Sequence, residues 1–167
     1  MKISYNWLKQ FFNTEDSSEL SSKTPQELSL ILTDIGLEVE SLDKVQAVIG
    51  GLEGLIIGEV LSCIQHPNAD RLRVTTVNLG FDAPVQIVCG APNVQAGQKV
   101  VVAPVGCTVY PLTGEPFKIT KSKIRGEVSE GMICAEDEIG LGKGHDGILV
   151  LPADTPVGIY AAPYFKL

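Results

Sequence analysis

Leu55-Ile56-Ile57-Gly58-Glu59-Val60-Leu61-Ser62-Cys63-Ile64, running into His66-Pro67-Asn68, decides the class of this chain. Branched apolar side chains fill the ten-residue run, and a Pro-Asn turn closes it, which favours a strand over a helix. The same pattern recurs downstream. Arg71–Leu79, Val85–Cys89, Lys99–Val109, Phe117–Arg125 and Ile148–Leu151 read as further strands. Between them stand turn signals at Gly80, Gly90-Ala91-Pro92-Asn93, Gly97, Gly114 and Gly126. One short acidic stretch in this region, Ser129–Leu141, reads as helical.

Five or six short strands in about 110 residues, with no long helix, predict a small closed barrel or a sandwich. A five-stranded oligonucleotide/oligosaccharide-binding (OB) barrel has this size and this kind of break. Upstream of Val39 the period is helical instead. Ser4 can cap a short helix carrying Trp7, Leu8, Phe11 and Phe12, and a polar loop, Asn13–Lys23, follows. Thr24-Pro25-Gln26-Glu27 then supplies a capping box with Pro at the first helical position. Leu28, Leu32 and Ile35 form an apolar stripe, and Gly36 ends the helix. The tail from Pro152 to Leu167 has turn residues and three aromatics, Tyr160, Tyr164 and Phe165, but too few residues for a core of its own. It is expected to belong to a domain completed elsewhere in a longer protein.

Bulk composition narrows the function. Apolar residues make up 44% of the 167, enough to bury a core. The 17 glycines and 10 prolines exceed the roughly 12% of average usage, as a turn-rich β chain would. Thirteen basic against twenty acidic residues give a net charge of −7, which argues against an all-over nucleic-acid binder and leaves room for a local basic patch. The N-terminus lacks the apolar core of a signal peptide, because Lys9 and Asn13 interrupt it. No apolar run approaches the roughly 18 residues of a membrane span. The four cysteines, Cys63, Cys89, Cys107 and Cys134, contain no CxxC pair and read as buried or half-buried thiols in a reducing compartment.

Lys118-Ile119-Thr120-Lys121-Ser122-Lys123-Ile124-Arg125 is the chemically distinctive stretch: four cations and no acid in an acidic chain. On a strand, residues two apart share a face about 6.6–6.8 Å apart. Lys121, Lys123 and Arg125 would then form a cationic row suited to a phosphate backbone, with Ser122 and Ile124 on the other side. A solvated edge that uses its charges to resist aggregation fits the same letters. In His66-Pro67-Asn68-Ala69-Asp70-Arg71-Leu72-Arg73, Asn68 and Asp70 can close Asx-type turns, and Arg71 and Arg73 should share a face. Cys63-Ile64-Gln65-His66 has the spacing of half a zinc site without a paired second half. Gly142-Lys143-Gly144-His145-Asp146-Gly147 spells GxGxxG, but a strand follows it where a dinucleotide fingerprint needs a helix. Glu136, Asp137 and Glu138 read as a solvated short helix, and neither His66 nor His145 has a nucleophile in a recognisable elbow. Nothing here reads as an active site.

Several of these blocks resemble a known family. Met1-Lys2-Ile3-Ser4-Tyr5-Asn6-Trp7-Leu8, Asp34-Ile35-Gly36-Leu37-Glu38-Val39-Glu40 and His66-Pro67-Asn68-Ala69-Asp70-Arg71-Leu72 are similar to bacterial phenylalanyl-tRNA synthetase beta subunits. So are Ile87-Val88-Cys89-Gly90-Ala91-Pro92-Asn93, the run from Lys123 to Cys134, and His145-Asp146-Gly147-Ile148. The central region alone resembles a wider group of tRNA-binding barrels. The resemblance implies a mainly β chain with a helical N-terminal part (α+β): an OB-fold barrel at residues 41–151 inserted in a discontinuous, truncated α/β domain made by residues 1–40 and a segment starting at 152. It implies a tRNA-binding module of a cytoplasmic alpha2-beta2 ligase, with tRNA and the synthetase alpha subunit as partners and no membrane. ATP and magnesium would serve the holoenzyme, and this fragment would hold no cofactor or catalytic residue. By motif, the RNA-facing candidates are Asn68, Arg71, Asn93, Lys121, Lys123, Arg125, Ser129 and Glu130. An assembly barrel that binds protein, or a freestanding tRNA-binding chaperone-like protein, are the rival readings. The barrel region departs from freestanding relatives in being net acidic.

Overall fold

A computed structural model describes residues 2–12 and 18–167, which divide into two compact units, residues 1–45 and 46–167. In the first unit, Ser4 caps α1 (Tyr5–Leu8), which continues as a 3-10 turn over Lys9–Phe12. Trp7 and Phe11 meet edge to face at 5.0 Å, yet both stay more than half exposed. Part of the expected Asn13–Lys23 loop lies outside the described residues, and the rest corrects the expectation with a helical turn, α2 (Ser18–Ser21). The predicted capping box forms at α3 (Pro25–Asp34): Glu27 N–H donates to the Thr24 hydroxyl, and Thr24 N–H donates to the Glu27 carboxylate at 2.8 Å. These bonds hold the Glu27 carboxyl below its usual range. Of the expected stripe only Leu28 is buried; Ile35 is 68% exposed.

The second unit is a nearly closed antiparallel barrel. β1 (Ile56–Gln65) is long enough to serve two partners. Its first half pairs with β4 (Lys99–Pro104), and its second half pairs with β2 (Arg73–Asn78) across a register shift between Val60 and Ser62. β3 (Val85–Cys89) extends the sheet beyond β2. β5 (Thr108–Val109) with β6 (Phe117–Lys118), and β7 (Ser122–Ile124) with β8 (Glu127–Ser129), form two small hairpins in the long β4–β9 connection. β9 (Gly131–Ile133) pairs with the other edge of β4, as does β10 (Val150–Leu151). Glu130 N–H donates to the Gln86 carbonyl at 2.8 Å, which brings the β8–β9 junction onto β3 and closes the ring. The strand circuit is therefore β1-β2-β3-β9-β4, the OB arrangement expected from the sequence.

Three expectations fail here. Lys99–Val109 is not one strand, because the chain turns at Val105-Gly106, with Gly106 at φ +96°, between β4 and β5. Ser129–Leu141 is not helical: it opens with the tail of β8 and β9, then passes through turns in which Glu138 accepts from Ala135 N–H at 2.7 Å. Three consecutive acids gain more from caps and solvent than from a helix too short to bury a face. Phe117–Arg125 is also not one strand, since Ile119 turns inward and is buried between β6 and β7.

The core has two layers. Inside the ring lie Ile56, Val60, Val77, Ile87, Val100, Val102 and Ile133. The opposite faces of β1 and β4 present Ile57, Val101 and Ala103 to a second cluster with Val109, Ile119, Ile139 and Ala161. β4 is thus buried on both faces, which explains why Val100-Val101-Val102-Ala103 is continuously apolar and not alternating. The segment after β10 runs back along β1: Ile57 N–H donates to the Ile159 carbonyl, Gly158 N–H to the Ile57 carbonyl, and α4 (Ala161–Tyr164) follows. Gly80, at φ +79°, sits so close to this segment that a Cβ would fall 2.6 Å from the Gly158 Cα. Gly80→Ala should therefore destabilise the barrel by about 2 kcal/mol or more, through both crowding and left-handed strain. Thermal unfolding followed by circular dichroism checks it.

Candidate nucleic-acid interface

Gln65 organises the β1–β2 loop from within. Its side-chain amide donates to the carbonyls of Ala69, Asp70 and Leu72, while its oxygen accepts from the Arg73 guanidinium. His66 N–H donates to the Leu72 carbonyl at 3.1 Å, and Ala69 is buried beneath. Asn68 and Arg71 therefore project from a loop whose backbone is tied down; both are exposed.

Facing this loop is the β7–β8 hairpin. Its two-residue turn, Arg125-Gly126, has φ of +47° and +106°, the sign pattern of a type I′ turn, which matches strand twist. Gly adopts such a conformation freely; Arg does so only with strain. Two hydrogen bonds join hairpin to loop. His66 Nε2 lies 3.0 Å from the Ile124 carbonyl oxygen, and Asn68 Nδ2 donates to the Arg125 carbonyl at 3.2 Å. At its base the hairpin is held to β3, where Gln86 Nε2 donates to the Val128 carbonyl and to the Glu127 carboxylate.

The eight candidate residues separate into three groups. Asn68, Arg71, Lys123 and Arg125 come together, exposed, on the joined loops. Among the described residues, no carboxylate pairs with Arg71, Lys123 or Arg125. Lys121 is exposed but ion-paired with Glu130 at 2.5 Å, so two candidates neutralise each other. Ser129 and Asn93 face the protein. Ser129 is 3% exposed; its hydroxyl accepts from Val88 N–H and donates to the Gly131 carbonyl. Asn93 clamps Ile148 with both ends of its amide, at 2.9 Å each way. The expected single-strand row of Lys121, Lys123 and Arg125 does not form, because Arg125 occupies the turn and only Lys123 lies in β7. The cationic surface is built across two loops instead, where side chains two apart on one strand cannot predict it.

The other motifs have structural occupants. Gly142 and Gly144 make room for the Glu136 side chain, and Gly147 for Asn93. Both His66 ring nitrogens are engaged by backbone groups, which leaves the Cys63–His66 spacing no lone pair for zinc. His145 Nδ1 lies 2.7 Å from an Asp137 carboxylate oxygen on a largely exposed turn. All four cysteines are free, and burial pushes the thiols of Cys89, Cys107 and Cys134 up, away from nucleophilic thiolate. No described helix is long and apolar enough to cross a membrane.

OB barrels bind oligonucleotides through the face of strands 2 and 3 and the loops after strands 1 and 4, which here are β2–β3, the His66–Leu72 loop and the excursion bearing the β7–β8 hairpin. The comparison with protein families gives the same class. Residues 55–160 match the family described as "Putative tRNA binding domain", and the chain belongs to that family. Over its whole length it is 57% identical to the phenylalanine–tRNA ligase beta subunit of Bacteroides fragilis, 54% to that of Porphyromonas gingivalis and 49% to that of Photorhabdus laumondii. The chain spans 19% of the length of each of these curated relatives. Among solved structures, the C-terminal domain of Plasmodium vivax p43 is similar at a TM-score of 0.44 and 22% identity, over 70% of this chain and 61% of that one.

Ser129→Ala should cost about 1–2 kcal/mol of stability by stranding the Val88 N–H, and should leave the salt dependence of RNA binding unchanged. Urea unfolding and RNA titrations on the same variant separate the two roles.

Proposed function

We propose that this chain is the tRNA-docking N-terminal part of a phenylalanine–tRNA ligase beta subunit. One observation carries the docking reading: two loops distant in sequence are hydrogen-bonded together and present Arg71, Lys123 and Arg125 without acidic partners among the described residues. Guanidinium and ammonium groups on such a ridge can each reach a separate phosphate, and Asn68 adds a neutral polar contact that fixes register. Docking is electrostatic and displaces counterions. The identity over the full chain with three beta subunits supports the particular assignment.

On this reading the longer protein works in the cytoplasm as an alpha2-beta2 assembly that joins phenylalanine to tRNA with ATP and magnesium. Among the described residues there is no cluster of three or more His, Cys, Asp or Glu that could hold a metal ion, and the Gly142–Gly147 loop leads to a strand. On this reading the ligase chemistry belongs to parts of the assembly outside this chain, and the chain's own work is to bind and orient tRNA. The division into residues 1–40, 41–151 and 152–167, with the outer two belonging to a neighbouring discontinuous domain, is part of the same proposal. Leu28 supports it, being the one buried apolar side chain among the described residues of the first unit.

Replacing Arg71 and Lys123 by Ala and Arg125 by Asn should weaken tRNA binding and flatten the log–log salt dependence by about 0.7–0.9 per lost phosphate contact. A slope equal to that of the unmodified protein would remove these residues from the interface. Lys121→Ala should change the slope less than Lys123→Ala, because Glu130 already pairs with Lys121. Arg125→Asn alone should keep or raise the melting temperature, since Asn tolerates the left-handed turn better than Arg.

A further inference from the structure

His66 is 2% exposed, the most deeply buried titratable side chain near the cationic loops. The backbone N–H of Asn68 points at Nδ1 from 3.0 Å. An amide N–H only donates, so Nδ1 must present its lone pair. Nε2 lies 3.0 Å from the Ile124 carbonyl oxygen, which only accepts, so Nε2 must carry the proton. A single species, the neutral Nε2–H imidazole, satisfies both contacts. A doubly protonated ring would set two N–H groups against each other at Nδ1.

We propose that His66 is a positioning residue of the docking surface. Its neutral imidazole pins the tip of the β7–β8 hairpin to the β1–β2 loop, so that Arg71 and Arg125 approach one polyanion as a preformed pair. This inference rests on the RNA-docking reading above. Among the described residues, His66 and Asn68 supply the two hydrogen bonds between the loops, to the successive carbonyls of Ile124 and Arg125. The Asn68 bond is exposed and competes with water, whereas the His66 bond is shielded. The base of the hairpin is fixed independently through Gln86 and Ser129. Loss of the imidazole donor therefore frees the tip without opening the barrel, and RNA must order the tip as it binds, which lowers affinity.

Two substitutions divide the ring's functions. In His66→Asn, the short amide oxygen can still accept from Asn68 N–H but cannot reach Ile124. In His66→Gln, the longer amide can present an N–H where Nε2–H lies. The dissociation constant of an unmodified tRNA transcript is measured in the full-length protein over a salt series, beside the melting temperature. H66N is expected to bind roughly three- to tenfold more weakly, the range set by one lost hydrogen bond, while the melting temperature falls in both H66N and H66Q because each removes a buried ring. H66Q is expected to recover most of that loss. In a background already carrying Arg71→Ala and Arg125→Asn, H66N should have no further effect on affinity. Equal affinities for H66N and the unmodified protein would overturn the role. So would equal losses in H66N and H66Q, or an undiminished H66N effect in the double-variant background. If tRNA binding is absent, or indifferent to Arg71, Lys123 and Arg125, the docking reading itself fails, a result distinct from these.

Discussion

The surface depends on how the barrel closes. Three residues at the β8–β9 junction do this with little side-chain bulk: the buried Ser129 hydroxyl meets Val88 N–H, Glu130 N–H meets the Gln86 carbonyl, and Gly131 starts the pairing with Pro104 of β4. From this point β8 runs back beside β3, held by Gln86, and the β7–β8 turn emerges beside the β1–β2 loop. The cationic ridge is thus a consequence of ring closure, and Ser129 serves the ridge from inside the protein.

Charge works on the same local scale. The chain is net −7, but at physiological ionic strength exposed charges are screened over about 8 Å. A phosphate at the loops therefore feels Arg71, Lys123 and Arg125 far more than acids lying beyond that range. Three acids lie closer: Asp70 beside Arg71, Glu127 after the hairpin turn and bonded by Gln86, and Glu130, whose pairing with Lys121 trims the basic stretch to its distal end. Placing these cations on the loop and the hairpin tip leaves them exposed to a polyanion. A cation on an inner strand would lack that access.

Much of the barrel was legible because strand signals are local. Val85–Cys89 forms as expected to the residue, and β1 and β2 differ from expectation by one or two residues at their ends. The helix over Pro25–Asp34 was legible for the same reason, its box being written in four consecutive residues. β9 was not. Three residues, Gly131-Met132-Ile133, have no periodicity to read, and they are a strand only because β4 offers an edge there. The site was half legible. Cationic letters marked Lys123 and Arg125, but whether a polar side chain faces solvent or backbone is a tertiary fact. Asn93 and Ser129 look like ligand-binding residues in sequence and are consumed by Ile148, Val88 and Gly131. His66, whose spacing from Cys63 made only half of a zinc site, is likewise engaged by backbone, with a carbonyl 58 positions away as its partner.

A type I′ turn favours Asn-Gly, and a chain selected for hairpin stability alone would have little reason to hold an arginine at φ +47°. Local preference and global fold usually agree in natural sequences, and disagreements gather at functional sites. Here the disagreement sits at the one position where the hairpin's carbonyl is held by Asn68, its neighbour's by His66, and its own side chain is left exposed without an acidic partner among the described residues. Three independent features, a strained turn, a pinned backbone and an uncommitted cation, coincide on one residue. Structural necessity accounts for the first two only if the third has a use, because any Asn in its place would satisfy the same carbonyl bonds without strain. A guanidinium held outward on a fixed backbone is what phosphate recognition requires, and it is the feature of this barrel that hairpin folding alone does not explain.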